Sequence, residues 1–427
     1  MPVIGTKGAA SAQGFGFTTP SGAQGVAPFI SRLTTSVLGA NLFDDGAVLV
    51  TGSNPPFSNV GILAPITHTN SGTKTTNLFN GTNLLNNVAK VSSSVGVVGY
   101  IDGFSTVSKT NTIGLAKNSI NTAYWGGETG TVTAVDSAGN IYLVSALYPE
   151  SGGGQPVPCL RKYNSSGVLQ WNRSYSSDSS FAGGSGATPS GMAVNSSYVY
   201  LTVRDSNFQR PAIVSINSSD GSVVSARYFS ESLYSTDITT PALDSSGNVY
   251  FAVSDYVNGG TNLYKYAPAL ASVVAVRNIS GYGSVRDTSC VSIDSLTGDV
   301  YWLLSVTWNN DNITKTSSAL SSPSTIAVTD DTTSYSYGGD LQIVSNAMCF
   351  TNSRAKLIYV LPLNGTKTGT YSVGGASVVY STRTAPSLTT PAVSGTSLSY
   401  YTQTQTITTA NVTYSTGTTF SVSSVDL

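Results

Sequence analysis

The chain has 427 residues, 10% of them charged and 40% hydrophobic, with 43 glycines, 24 tyrosines, a formal net charge of −1 and a pI near 5.8. That balance argues against a nucleic-acid or anionic-membrane partner, since both are held by clustered Lys and Arg. The shortage of Glu, Lys and Arg likewise argues against long exposed helices, and β-branched and aromatic residues fill the ordered-looking stretches, so an all-β protein is expected. No apolar run reaches 18 residues and no signal-peptide pattern occurs, so neither a membrane span nor export by a recognisable signal is expected.

Taken in chain order, residues 1–38 come first and do not fit the pattern that follows. The stretch MPVIGTKGAASAQGFGF is rich in Gly, Ala and Ser, with Phe15 and Phe17 isolated among them. Such a segment cannot fold alone: it is either a disordered leader or an extended docking arm, whose small residues allow close backbone approach and whose phenylalanines anchor in pockets of another protein. Through Gly8, Ala9, Ala10, Ser11, Gly14, Phe15, Gly16 and Phe17 it is similar to the amino-terminal G-[AS]-A-S-A-x-G-F-G-F leaders of structural proteins from tailed phages of marine bacteria and cyanobacteria. The resemblance implies a virion protein attached to other virion proteins by its N-terminus, its remaining mass projecting outward, with multiple copies per particle. Such a protein is assembled in the host cytoplasm and released by lysis, which reconciles a Ser/Thr/Tyr/Gly-rich, Lys-poor composition with the missing signal.

From residue 39 onward one unit returns: a short apolar strand, a turn of Asp or Asn with Ser and Gly, then a strand centred on an aliphatic-Tyr pair. Copies are TAVDSAGNIYLVSA (133–146), MAVNSSYVYLTVRD (192–205), PALDSSGNVYFAVSD (241–255) and VSIDSLTGDVYWLLSV (291–306), with CFTNSRAKLIYVLP (349–362) a weaker fifth. Asp136, Asn195, Asp244 and Asp294 are placed to cap their turns through side-chain oxygens, and Gly139, Gly247 and Gly298 to take positive φ. The tyrosines Tyr142, Tyr200, Tyr250, Tyr301 and Tyr359 are 58, 50, 51 and 58 residues apart, a period that suits a propeller blade. A second strand pair follows each hairpin, as in PCLRKYNSSGVLQWNRSY (158–175) and AIVSINSSDGSVVSARYF (212–229), which completes four strands.

Asp136 to Tyr142, followed by Lys162, Tyr163, Gly167, Trp171 and Arg173, resembles the repeat of the bacterial seven-bladed β-propeller repeat family. The likeness holds over about 130–305; Lys265 and Tyr266 repeat its Lys-Tyr pair without the following Trp. Extending the period both ways gives an all-β propeller of about eight four-stranded blades, at about 40–80, 86–125, 130–176, 188–230, 238–282, 288–330, 338–384 and 388–424. Seven blades with a terminal closing hairpin is the alternative, because the last segment is short and its turn chemistry weak. Closure itself is expected, since an open ring would leave unpaired sheet edges.

The residues that carry chemistry elsewhere are sparse here. His68 is the only histidine, so no histidine-based triad or multi-histidine metal site can be assembled freely. Asp136, Asp244, Asp294 and Asp299 recur at turn positions, which folding explains better than a glycosidase pair does. Asp44 with Asp45 and Asp330 with Asp331 lack the ligand spacing of a calcium loop, and Gly152–Gly154 reads as a flexible loop. Cys159, Cys290 and Cys349 have no C-x-x-C spacing and read as buried thiols. No metal or other cofactor is expected.

Trp125, Trp308, Tyr335 and Tyr337 lie in turn-rich segments and are candidates for surface binding of a host polysaccharide or receptor, whereas Trp171 and Trp302 read as packed between blades. The sequence thus points to a non-enzymatic phage structural protein whose propeller is a fibre-like or receptor-binding module. A decoration or connector protein of the virion and an extracellular glycan-degrading propeller are the alternatives.

Overall fold

A computed structural model describes residues 26–34, 36–43, 47–53, 61–66, 72–79, 84–90, 95–100, 103–108, 113–118, 128–147, 156–177, 187–205, 211–229, 238–254, 260–280, 290–307, 310–331, 338–352, 355–391, 396–397, 400–404 and 414–427. Its first strand, β1 (Phe29–Leu33), belongs to the last blade of the ring. Blade 1 is β2 (Ser36–Leu42), β3 (Val48–Ser53), β4 (Gly61–Ile66) and β5 (Gly72–Phe79); blade 2 is β6 (Leu84–Lys90), β7 (Val95–Tyr100), β8 (Gly103–Ser108) and β9 (Ile113–Asn118). Blade 3 is β10 (Glu128–Val135), β11 (Ile141–Leu147), β12 (Val157–Tyr163) and β13 (Leu169–Ser177). Blade 4 is β14 (Ala187–Val194), β15 (Tyr198–Asp205), β16 (Pro211–Asn217) and β17 (Val223–Tyr228); blade 5 is β18 (Ala242–Leu243), β19 (Val249–Ser254), β20 (Thr261–Tyr266) and β21 (Val273–Ile279). Blade 6 is β22 (Cys290–Ile293), β23 (Val300–Thr307), β24 (Asn310–Thr316) and β25 (Ser324–Asp330). Blade 7 has β26 (Gly338–Val344), β27 (Ala347–Asn352) and β28 (Leu357–Pro362), and takes β1 as its fourth strand, with Phe29 opposite Val360 and Arg32 opposite Leu357.

The first strands of the blades adjoin one another in order, β2, β6, β10, β14, β18, β22 and β26, and β26 adjoins β2 again. The described residues therefore form a closed β-propeller of seven blades, the alternative count. Bulges interrupt the inner strands of blades 1, 2, 3, 4 and 7, where the register shifts between Val37 and Gly39, Leu84 and Val88, Thr129 and Val132, Pro189 and Gly191, and Gly339 and Gln342. A bulge bends a strand and raises its twist, which suits strands crowded about an axis.

The segment expected to form an eighth blade, 388–424, does something else. After β29 (Gly369–Val373) and β30 (Ala376–Arg383), the strands β31 (Leu388–Thr389), β32 (Thr396–Ser397), β33 (Tyr400–Thr404) and β34 (Tyr414–Asp426) run back around the outside of the ring. In turn β30 pairs with β25 of blade 6, β31 with β21 of blade 5, β32 with β17 of blade 4 and β33 with β13 of blade 3. The long β34 then pairs with β5 of blade 1 and with β1 of blade 7. Each of these blades thus gains a strand on the edge that would otherwise present unpaired N–H and C=O groups. Two boundaries change with it: the arm expected over 1–38 gives up Phe29–Leu33 and the first residues of Ser36–Leu42 to the blades, and the unit expected over 338–384 divides between blade 7 and the added strands of blade 6.

The core is a series of layers between blades. One joins Tyr142, Val144 and Leu160 of blade 3 to Met192, Val199 and Leu201 of blade 4; another joins Tyr301, Leu303 and Ile313 of blade 6 to Met348, Phe350 and Leu357 of blade 7. The second and third strands are consequently buried on both faces: every residue of Val249–Ser254, Ala347–Asn352 and Leu357–Pro362 is buried. Full burial of a Val, Leu, Ile or Phe side chain contributes about 1.5–3 kcal/mol relative to exposure, and this demand on both faces explains why so few charges occur. Trp171 and Trp302 lie in these layers as expected, and all three cysteines are buried free thiols, Cys290 on an inner strand and the others on β12 and β27.

Candidate functional site at the blade seams

The repeated turn residues are joined in one construction. In blade 3, Asp136 Oδ1 accepts the N–H groups of Ala138 (3.0 Å) and Asn140 (2.9 Å), while Oδ2 accepts Asn140 Nδ2 (2.8 Å) and the Tyr142 hydroxyl (3.2 Å). Blade 5 repeats it on Asp244, with Ser246 and Asn248 N–H at 2.9 Å, Asn248 Nδ2 at 2.8 Å and the Tyr250 hydroxyl at 3.0 Å. Asn195 and Asp294 cap the turns of blades 4 and 6 in the same way, and Gly139, Gly247 and Gly298 take φ of 80°, 79° and 75°. The repeated acids are therefore engaged in turns, as their spacing suggested.

In blades 3, 5 and 6 a lysine on the third strand joins the tyrosine. Lys162 Nζ stands 5.4 Å from the Tyr142 ring centre, Lys265 Nζ 5.1 Å from Tyr250 and Lys315 Nζ 5.8 Å from Tyr301. In blades 3 and 5 these groups reach into the next blade, toward the turn that joins its third and fourth strands. Lys162 Nζ (2.9 Å) and Trp171 Nε1 (3.1 Å) both donate to the Ser218 carbonyl, and Tyr175 donates to the Gly221 carbonyl (2.9 Å). The Tyr250 hydroxyl and Lys265 Nζ, each at 3.1 Å, both meet the Ser318 carbonyl. Between blades 4 and 5 the tyrosine contact reverses, the Ala269 N–H donating to the Tyr200 hydroxyl (2.9 Å), while Arg227 still donates forward to the Leu270 carbonyl (3.2 Å). Burial first, and the neighbouring Asp136 and Asp244 carboxylates next, push the Tyr142 and Tyr250 hydroxyls well above the ordinary tyrosine range. They stay protonated and serve as donors.

The seam between blades 6 and 7 breaks this rule. Blade 7 has no turn from a third to a fourth strand, because its fourth strand is β1. Position for position, Ser218 and Ser318 lie three residues beyond the partners of Tyr200 and Tyr301; the same count from Leu361, which faces Met348, reaches Asn364. Asn364 closes its own turn, its Oδ1 accepting Thr366 N (3.1 Å) and Oγ1 (2.7 Å). Tyr301, 2% exposed, makes no hydrogen bond among the described residues, and Lys315 Nζ pairs instead with Asp299 Oδ2 at 2.6 Å. A cavity of about 240 Å³ remains, with Tyr301, Ile313 and Ile326 as its floor and Ser324, Asn364 and Thr382 at its mouth. Sequence reasoning missed this site, because its signal is the absence of a partner turn in another part of the chain.

The expected site residues fall elsewhere. Gly8 to Phe17, Trp125, Trp308, Tyr335 and Tyr337, and likewise His68, Asp44 and Asp45, lie outside the described residues. Asp330 is buried at the end of β25, where it accepts Asn352 Nδ2 (2.7 Å), and Asp331 Oδ2 accepts the Ser377 N–H (2.8 Å). Among the described residues no group of three His, Cys, Asp or Glu side chains is placed to hold a metal ion, and no helix is long and apolar enough to cross a membrane.

No family model and no curated protein matches the chain. Among solved structures it is similar to a protein of unknown function from Bacteroides caccae (11% identity over 69% of this chain and 92% of that one, TM-score 0.38). It is also similar to the hydrazine synthase of Kuenenia stuttgartiensis (9% identity, 77% and 96%, TM-score 0.48) and to the WD40 domain of SCAP from fission yeast (10% identity, 81% and 84%, TM-score 0.37). At these values no function follows from the likenesses. The propeller is read from the strand pairing described above.

Proposed function

We propose that the protein is a non-enzymatic structural protein of a tailed-phage particle, anchored by its N-terminal arm and presenting its propeller as a fibre-like module that binds the host surface. One observation supports this reading most: among the described residues the ring closes through β1 and β34, whose pairing begins at Phe29. Closure by strands from Phe29 onward supports a separate role for the sequence before it, in which Phe15 and Phe17 would be the apolar anchors. The repeated Asp, Tyr and Lys side chains add support, since in blades 3 and 5 they are occupied in turns and seams.

The test uses the full chain. Phe15→Ala with Phe17→Ala is expected to leave a folded propeller whose incorporation into particles falls at least about tenfold, the effect of losing two anchors at an interface; unchanged incorporation would overturn the anchoring. Host surface polysaccharide incubated with the purified protein should be bound and keep its length. Shortening of the chains would replace the binding module with a glycan-degrading enzyme.

A further inference from the structure

We propose that the cavity between blades 6 and 7 is a binding site for a single N-acetylated amino-sugar residue, its acetamido carbonyl received by the Tyr301 hydroxyl. Two other seams show what this construction receives. The Ser318 carbonyl lies 3.1 Å from both the Tyr250 hydroxyl and Lys265 Nζ, and the Ser218 carbonyl 2.9 Å from Lys162 Nζ. In each case the guest is the oxygen of a secondary amide. At the third repetition the tyrosine and lysine are present, the amide is absent, and the Tyr301 hydroxyl is left without a partner among the described residues, on a side chain only 2% exposed.

Charge and shape narrow the guest. Lys315 is neutralised by Asp299 at 2.6 Å, so among the described residues the cavity offers no free cation for a carboxylate or phosphate. Its apolar floor of Ile313 and Ile326 suits an acetamido methyl group, and the hydroxyl and amide side chains at its mouth, Ser324, Thr382 and Asn364, can both donate to and accept from ring hydroxyls. At about 240 Å³ the space falls below the range of drug-sized pockets, which limits the guest to about one ring. Ser324, Asn364 and Thr382 are exposed, so a glycan chain would continue outward from the bound residue.

The inference deepens the host-surface reading and rests on it for its biological source; the described lining residues of the pocket all lie between 301 and 382. The experiment titrates the full chain with N-acetylglucosamine, with glucose, and with N-acetylalanine methylamide as a peptide probe, by ligand-observed NMR, and repeats the series with Tyr301→Phe. N-acetylglucosamine is expected to bind in preference to glucose and to lose about tenfold in affinity in Tyr301→Phe, the equivalent of one hydrogen bond. Tyr301→Phe removes only a hydroxyl that nothing in the described protein uses, and an unchanged unfolding midpoint confirms its fold. Equal binding of glucose, equal affinity in Tyr301→Phe, or stronger binding of the peptide probe would each overturn the proposal. Binding of host polysaccharide that persists undiminished in Tyr301→Phe would sink the pocket and keep the host-surface reading. Sugar binding at Tyr301 with no binding to host polysaccharide would keep the pocket and sink that reading.

Discussion

The Tyr250 hydroxyl lies 3.1 Å from the carbonyl of Ser318, 68 residues further along the chain and in the next blade. The same hydroxyl also reaches Asp244, so one side chain ties a turn of its own blade to a turn of its neighbour. Truncating it to Tyr250→Phe removes both contacts and should lower stability by about 1–2 kcal/mol. Tyr301→Phe, which removes a hydroxyl with no partner among the described residues, should stay within about 0.5 kcal/mol of the wild type. Urea unfolding of the two variants side by side gives the comparison, and equal losses would contradict the seam description.

Gly191 sits at the bulge of the inner strand β14, where an added Cβ would stand 2.5 Å from Thr240 Cα of blade 5. The atom it meets is backbone, so Gly191→Ala has to push two blades apart and should cost about 1–3 kcal/mol, as overpacking does. Gly298 is the control: a Cβ added there would meet nothing within 4 Å, but its φ of +75° is left-handed. Gly298→Ala should therefore carry only the conformational penalty, about 1 kcal/mol. Thermal unfolding of the pair separates inter-blade crowding from turn geometry.

Removing residues 388–427 strips the outermost strands from blades 1, 3, 4, 5 and 7. The exposed edges of β5, β13, β17, β21 and β1 then become templates for pairing with other chains. The expected outcome is a lowered melting temperature together with self-association, read by size-exclusion chromatography with light scattering. A truncated protein that stays monomeric with an unchanged melting temperature would show that the outer strands protect nothing.

Burial works against the Asp244 carboxylate, but hydrogen bonds from Asn248, Tyr250 and Ser246 outweigh it and hold the group below the usual carboxylate range. A depressed folded-state value means that this contribution is complete above about pH 4 and is lost as pH falls through the folded value. Asp244→Asn should accordingly flatten the acid side of the stability profile. Urea midpoints at pH 3 and pH 7 provide the measurement, and an acid limb identical to that of the wild type would contradict the assignment.

Burial likewise pushes the Cys159 thiol up to about 12, and Cys290 and Cys349 are buried with it. At pH 8 a thiol reagent should label none of the three in the folded protein and all three in urea. Rapid labelling of one thiol without denaturant would show that its seam opens in the native state.

The hairpins are legible in the sequence because their signals are local. Asp136, Gly139 and Tyr142 lie within seven residues of one another, and the capping bonds and positive φ follow from those residue types. In blade 7 the sequence pattern is off by one strand. Tyr359 matches the repeated tyrosines by type and spacing, yet it lies on β28, while Met348 holds the tyrosine position on β27. The ring closure is hidden for a different reason: Phe29 pairs with Val360 and with Asp426, partners far along the chain that no local pattern encodes. The outer strands carry little turn chemistry because each is held by a blade already formed, and two-residue strands such as β31 and β32 leave no periodicity to detect. The seam cavity is invisible in the sequence for the same reason, being a consequence of which strand closes the ring.

That closure, in which the two ends of the described chain pair through β1 and β34, is what makes the propeller a ring. Ser31 on β1 and Ser424 on β34 face each other with their hydroxyl oxygens 2.7 Å apart. Directly opposed antiparallel residues lie within the reach of a disulfide. Ser31→Cys combined with Ser424→Cys should form an intramolecular cross-link under mild oxidation of the folded protein and raise its melting temperature. Failure to cross-link, or cross-linking only between molecules, would contradict a ring closed by its own two ends.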